Sequence, residues 1–151
     1  MAAKRWLTED EQRAWRAFVL MRRTLQTYLA RHLQREFGLS DSDFEILVNL
    51  SEAPEGMMRA SELAQATQWE KSRLSHHLRR MEDRGLIARH AGPSRYPAVA
   101  ITETGRNAIV ASAPANAQRV RKVFIDVLGP DRLAVWEEAC LDVVAAIDAK
   151  G

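Results

Sequence analysis

The spacing of apolar residues at the start of the chain predicts one long helix. From about Thr8 to Phe37, apolar side chains recur every three or four residues, the interval that places them on one helix face. Thr8, followed by Glu11 three residues later, has the pattern of a capping box at a helix start. Gly38 supplies a stop signal directly after the periodic stretch. The chain therefore opens with a helix that ends before residue 39.

Three shorter helices are predicted next. The first begins after residues 40–41 and ends at residues 53–56, where Ala-Pro-Glu-Gly breaks the apolar pattern. The second covers about Ser61 to Thr67, and the third begins at Glu70 and ends at Gly85. The third is amphipathic, with an inward stripe formed by Leu74, Leu78 and Met81.

A β-hairpin follows these helices. Residues 86–90 and 99–101 have strand character, and glycine, proline and serine at 92–94 form the turn between them. Two short helices followed by a hairpin are typical of a winged helix-turn-helix, which lays its second helix along the major groove of DNA. The predicted fold class is therefore mainly α with a small β-hairpin wing.

Two further helices complete the chain. Thr102 caps a fifth helix that extends toward Leu128, with a weak patch at 113–114, and residues 129–130 separate a last helix from about Asp131 to Ala149. The last helix carries an apolar seam at spacings of three and four, formed by Leu133, Trp136, Cys140, Val143 and Ile147. We expect residues 1–37 and 103–151 to form a dimerisation region around a DNA-binding domain, residues 38–102. The alternative is that the stripes close one monomeric core.

Composition narrows the setting. The chain is 46% hydrophobic and 28% charged, as an ordinary soluble protein is, and its apolar runs of a few residues are far below the roughly 20 that a membrane helix needs. The N-terminus lacks the apolar core of a signal peptide. Because Cys140 is the only cysteine, no intrachain disulfide can form, and we expect a cytoplasmic protein.

Charge is segregated along the chain. Residues 59–95 carry eight Lys or Arg against four acids, whereas residues 37–58 carry five acids and no base. The predicted winged module is therefore the basic part of the protein, as a surface that binds a polyanion should be. The alternative is that these charges only solvate a helix.

The predicted contacts to double-stranded DNA are Lys71, Ser72, Arg73, Ser75, His76, Arg79, Arg80 and Arg95. Arg73 lies near the start of the recognition helix, where base edges are reached, and arginine to guanine is the commonest specific pairing. Arg79 and Arg80 lie further along and are expected on phosphates. Arg95, at the wing tip, is expected in the adjacent minor groove.

Three stretches of sequence resemble the MarR family of bacterial transcription regulators: residues 61–64 (Ser-Glu-Leu-Ala), residues 69–87 from Trp69 to Ile87, and residues 101–105 (Ile-Thr-Glu-Thr-Gly). The resemblance implies a homodimeric winged helix-turn-helix repressor, or less often an activator. It also implies that a small ligand, expected here to be aromatic, or oxidation alters the grip on a palindromic operator.

The chain departs from the family pattern at two places. The family commonly has Asp two residues before a wing arginine, but here Pro93 stands two residues before Arg95, so the carboxylate that would orient the guanidinium is missing. The recognition-helix cap, often Asp or Ser, is Glu70, a weaker capping residue.

An effector pocket between the dimer helices and the DNA-binding module is predicted at Trp15, Phe18, Tyr28 and Phe44. The alternative is that these aromatic residues only pack in the core. Cys140 is predicted to be a buried packing thiol and not a redox switch, because it lies on an apolar seam without an adjacent base. Neighbouring helix residues point in different directions, so His76 is expected on DNA and His77 in packing, with no metal site.

The sequence offers no enzyme signature. It contains no nucleophile setting, no glycine-rich phosphate loop and no paired acids at a catalytic spacing, and no cofactor is predicted. The alternative function is a winged-helix module that binds a protein partner without reading DNA sequence. The many hydrogen-bond donors on the recognition helix argue against it, because protein interfaces are depleted in lysine.

Overall fold

The computed structural model describes residues 6–91 and 97–151. The elements are α1 (Glu9–Phe37), α2 (Asp41–Glu52), β1 (Met57–Arg59), α3 (Ala60–Thr67), α4 (Lys71–Asp83), β2 (Ile87–Ala91), β3 (Pro97–Ile101), α5 (Glu103–Val120) and α6 (Asp126–Asp148). A 3-10 turn, Pro54–Gly56, precedes β1, and a π-helical segment, Arg121–Ile125, precedes α6. The chain divides into two compact units, Met1–Ser112 and Ala113–Gly151.

The predicted start and stop of α1 are confirmed. The Thr8 hydroxyl accepts a hydrogen bond from the Glu11 amide at 3.2 Å, and the Thr8 amide donates to the Glu11 carboxylate at 2.8 Å. This reciprocal pair satisfies two amides that a helix start leaves without a partner. At the other end Gly38 adopts a left-handed conformation with φ 66°, which glycine tolerates without strain.

A small antiparallel sheet forms the wing, in the strand order β1-β3-β2. β2 and β3 pair with Ala88 opposite Ala100, so the predicted hairpin is confirmed, and its turn at 92–94 lies outside the described residues. β1 extends the sheet with Met58 opposite Val99 and was not predicted, since three residues are too few to show strand alternation.

The core of the first unit lies between α2, α3, α4 and the sheet. Its fully buried side chains include Ile46, Leu47 and Leu50 from α2, Leu63 from α3, Leu78 and Met81 from α4, and Ile87 and Val99 from the strands. The inward stripe predicted for α4 is therefore confirmed. α3, its turn and α4, with the sheet beside them, form a winged helix-turn-helix.

The start of α5 is fixed by its cap. The Thr102 hydroxyl accepts a hydrogen bond from the Gly105 amide at 3.0 Å and donates one to the Gly85 carbonyl at 2.6 Å, so the predicted cap also ties α5 to the end of the recognition helix. Gly105 is buried against the chain, and a Cβ added there would lie 2.1 Å from the Leu86 carbonyl oxygen. Only glycine fits this close approach.

The second unit contains the end of α5, the π-helical segment and α6. The backbone leaves the helical conformation at Gly129, with φ 76° and ψ 167°, which is where the sequence predicted a break. Within this unit the rings of Phe124 and Trp136 are in contact, with centroids 6.3 Å apart. No residue of α6 is buried. Among residues 6–91 and 97–151, no helix combines the length and apolar character needed to cross a membrane.

Candidate nucleic-acid interface

The turn between α3 and α4 sets the direction of the recognition helix. Gln68 ends α3 in a left-handed conformation with φ 57°, and Glu70 is extended. α4 then begins at Lys71, and Glu70 makes no side-chain capping hydrogen bond, in agreement with its weak capping propensity.

The two sides of α4 have opposite character. Leu74, His77, Leu78 and Met81 are buried. The nine exposed residues of α4 are Lys71, Ser72, Arg73, Ser75, His76, Arg79, Arg80, Glu82 and Asp83. Seven of the eight predicted DNA-contact residues therefore lie on its exposed surface, with two acids at the C-terminal end. The eighth, Arg95, lies outside the described residues.

Arg73 is held by an aromatic ring. Its guanidinium carbon lies 4.0 Å from the centroid of the Trp69 ring, which is a cation–π contact. The charge of Arg73 also acts on Glu45 of α2. Burial raises the pKa of Glu45 above its ordinary value, and Arg73 partly opposes that rise.

A buried polar cluster joins α4 to α2. Asp43 is 1% exposed, and its two carboxylate oxygens accept hydrogen bonds from His77 Nε2 at 2.9 Å and from Arg84 Nη1 at 2.6 Å. Because an ionised carboxylate only accepts, Nε2 is the protonated nitrogen of His77. Arg84 also donates to the Gly38 carbonyl at 2.7 Å, so the cluster reaches the end of α1.

The Asp43 carboxylate is stabilised in its charged form. Burial alone would raise the pKa of Asp43, but hydrogen bonds from Arg84 and the Ser40 amide, with the charges of Arg84 and His77, lower it below its ordinary value. His77 is buried, as predicted. The cluster was not predicted, because the Ser-x-x-Asp pattern of the capping box at Ser40 and Asp43 gives no sign of partners 34 and 41 residues away.

A cavity of about 330 Å³ lies between α3, α4 and β2. Leu74, Leu78 and two alanines of α3 form its apolar wall, and Arg59, Lys71 and Arg89 bring three cations to it. Arg89 also donates to the Ser75 carbonyl at 3.4 Å, which ties the wing to the recognition helix. Arg59 and Arg89 stand out in the sequence only as members of the basic segment, with no pattern that assigns them to a site.

Comparisons with known proteins agree with this geometry. The sequence model of the MarR family matches residues 37–95. The crystal structure of AbsC, a MarR family transcriptional regulator from Streptomyces coelicolor, is similar with a TM-score of 0.90 and 38% identity, covering 97% of this chain and 99% of that one. The chain belongs to the MarR family. A comparison with curated proteins finds no match.

Other MarR-family structures contain DNA. Sco3205 from Streptomyces coelicolor, in complex with DNA, has a TM-score of 0.90 and 33% identity, covering 94% of this chain and 91% of that one. A mutant form of MarR from E. coli, complexed with operator DNA, has a TM-score of 0.76 and 18% identity, covering 85% of this chain and 91% of that one. At that identity the E. coli structure supports the fold alone. The family is one of transcription regulators and is generally not enzymatic.

The four aromatic residues predicted for an effector pocket do not form one cluster in the described contacts. The Trp15 and Phe18 rings lie 5.6 Å apart on α1, and both residues are exposed. The Tyr28 ring packs edge-on against His32 at 4.7 Å, and Phe44 is half-buried on α2. None of the four lines the cavity beside α4. Their role in this MarR-family chain stays a prediction.

The prediction that Cys140 is buried is wrong for the single chain, where the residue is exposed. The spacing on α6 does produce an apolar stripe. However, Val135, Leu141, Val143, Val144 and Ile147 of α6 are likewise exposed. Within the described residues, no three His, Cys, Asp or Glu side chains meet as a metal site requires.

Proposed function

We propose that this MarR-family chain is a homodimeric repressor that binds a palindromic operator through α4 and releases it in response to a small effector. The observation that carries the proposal is the surface of α4: seven polar or basic residues are exposed on a helix whose opposite side is fixed in the core. A rigid helix with donors along one surface is suited to the major groove.

The position of each residue suggests its role. Arg73, with Lys71 and Ser72 beside it, stands in the first turn of α4 and is proposed to reach base edges. Ser75 and His76, one turn later, meet bases or phosphates. Arg79 and Arg80 are proposed to bind the backbone, and Arg95 the minor groove. The Sco3205 complex with DNA supports this use of the fold.

Dimerisation is proposed through α1 and the two C-terminal helices, outside the DNA-binding residues 38–102. Exposed apolar residues on α1 and α6 support it, since such surfaces are normally covered. Two recognition helices about 34 Å apart would match one duplex turn and a palindrome. We expect Ile147→Asp to convert dimer to monomer in sedimentation experiments. Asp148→Ala, at the neighbouring exposed position, should leave the dimer intact.

The effector is proposed to be a small aromatic acid. The cavity beside α4 supports this chemistry, because it combines an apolar wall with the cations of Arg59, Lys71 and Arg89. An anion bound there would also neutralise charge next to the DNA-contact surface. Aromatic acids should lower DNA affinity of the native protein. Loss of the response in Arg89→Ala favours this cavity, and loss in Tyr28→Ala favours the aromatic set on α1.

The test of function begins with a duplex selected from a random library by the native protein. Arg73→Ala should weaken binding to that duplex and leave an unrelated duplex of equal length almost unaffected. Arg79→Ala should weaken binding to both alike, because phosphate contacts carry no sequence information. Failure to select any duplex, with no binding to DNA, would contradict the proposal and favour a protein-binding module.

A further inference from the structure

We infer that Trp69 is a positioning residue for sequence readout: its ring holds the Arg73 guanidinium ready for base contact, and the buried Asp43–His77 pair holds the ring. The inference rests on the proposed function. It assigns a role to three residues that make no contact with DNA in that proposal.

The contact between Trp69 and Arg73 leaves the arginine able to bind a base. The guanidinium carbon lies over the Trp69 ring, 4.0 Å from its centroid. Its N–H donors lie in the plane of the guanidinium, at the edge. An arginine whose flat face rests on an aromatic ring can still present the two donors that guanine O6 and N7 accept.

Trp69 is itself fixed from the protein side. Its ring meets the His77 ring nearly at right angles, with centroids 5.7 Å apart, and Trp69 is half-buried. His77 is anchored in turn by the 2.9 Å hydrogen bond to Asp43. Arg73 and His77 are four residues apart on α4 and lie on one side of its first two turns. The Trp69 ring, two residues before the helix, contacts both of them.

The consequence is a smaller entropic cost of base recognition. A long side chain that is mobile in the free protein must be ordered when it binds, and this cost weakens affinity. Arg79, on the exposed surface, is proposed to bind phosphates, which tolerate many orientations. The stack should therefore affect binding to the selected sequence and have little effect on binding to DNA in general.

The direct test is a double-mutant cycle on the full-length protein with the selected duplex and an unrelated duplex. Trp69→Leu should lower affinity for the selected duplex by about three- to tenfold, from the loss of one cation–π contact and of preorganisation, with less than about a twofold change on the unrelated duplex. In the Arg73→Ala background the same substitution should have almost no effect. Trp69→Phe, which keeps a weaker aromatic face, should fall between the two.

The matched control is the same cycle with Arg79→Ala in place of Arg73→Ala. Here the fold-change in affinity of the double variant should equal the product of the two single fold-changes, which shows that the two sites are independent. Equal losses from Trp69→Leu in the native and Arg73→Ala backgrounds would overturn the inference, because Trp69 would then act on DNA or on folding without Arg73. If the native protein selects no duplex, the proposed function fails and this inference falls with it.

A measurement on the free protein tests the role of Trp69 separately from the proposed function. The Arg73 Nε–H resonance of the free native protein should lie upfield of its position in Trp69→Leu, since protons over an indole face are shielded. Asp43→Asn, which weakens the anchor of His77, should move it part of the way. Far-ultraviolet circular dichroism shows whether each variant is folded. An Arg73 resonance that is the same in native and Trp69→Leu proteins would overturn the inference whatever the DNA result.

Discussion

Removal of the Asp43 carboxylate should be among the most destabilising single changes in the first unit, Met1–Ser112. Asp43→Ala deletes the acceptor of His77, of Arg84 and of the Ser40 amide, whose bond to Asp43 Oδ2 is 2.9 Å long. Hydrogen bonds to a charged group each contribute about 1.5–3 kcal/mol. Arg84 is 45% exposed and regains water, but the His77 side chain is 10% exposed and loses its partner inside the core.

We therefore expect Asp43→Ala to lower the free energy of unfolding by about 3–5 kcal/mol, the cost of breaking a buried pair from one side. Asp10→Ala is the matched control. Asp10 also lies in the first turn of a helix and pairs with an arginine, Arg13, but its side chain is 86% exposed. Exposed ion pairs contribute about 0.2–1 kcal/mol.

The assay is equilibrium urea unfolding followed by circular dichroism, with all proteins at one concentration because dimerisation couples to stability. The free energies of unfolding are compared between proteins whose free energy depends on urea concentration with the same slope. If Asp43→Ala and Asp10→Ala lose the same small amount, the buried cluster does not stabilise the fold in the way its geometry indicates.

Three further outcomes follow from the same structure. Gly105→Ala should lower the free energy of unfolding by at least about 2 kcal/mol, because the added Cβ would meet the Leu86 carbonyl oxygen. Gly38→Ala, whose Cβ meets nothing within 4 Å and only strains a positive φ, should lower it by about 1 kcal/mol. Equal losses in thermal or urea unfolding would contradict the close approach at Gly105. Because the pKa of Asp43 is lowered, its charged form stabilises the folded state above pH 3.8, the ordinary pKa, and this contribution is lost as pH falls through the lower pKa of the folded state. The free energy of unfolding, measured from pH 5 downward, should therefore decline less steeply in Asp43→Asn than in the native protein. Parallel curves would refute the assignment. Cys140, exposed in the single chain, should react slowly with a thiol reagent in the proposed dimer and rapidly in Ile147→Asp, and rapid reaction of both would place the thiol outside the dimer interface.

The sequence predicted most of what depends on local pattern. The capping box at Thr8, the cap at Thr102, the inward stripe of α4 and the backbone break at Gly129 each arise within a few residues of chain, and each was found where expected. The MarR resemblance rested on the same local runs, and the family assignment is confirmed.

The features that the sequence did not reveal depend on distant partners. β1 is too short to show a period and exists because β3 pairs with it. Asp43 resembled an ordinary helix-start residue, and its partners His77 and Arg84 looked like a packing residue and a surface cation. Burial of Cys140 was inferred from the apolar stripe on α6. Such a stripe indicates a surface that can be covered, but it does not show that the single chain itself covers that surface.

The most direct test of the account is the salt dependence of DNA binding, measured by fluorescence anisotropy with the selected duplex and an unrelated duplex of equal length. Because the exposed cations of α4 should displace ions condensed on the phosphates, the logarithm of affinity should fall steeply and linearly with the logarithm of salt concentration for both duplexes. The selected duplex should bind more tightly throughout. Absence of binding at low ionic strength, or equal affinity for both duplexes, would contradict the claim that α4 reads DNA sequence.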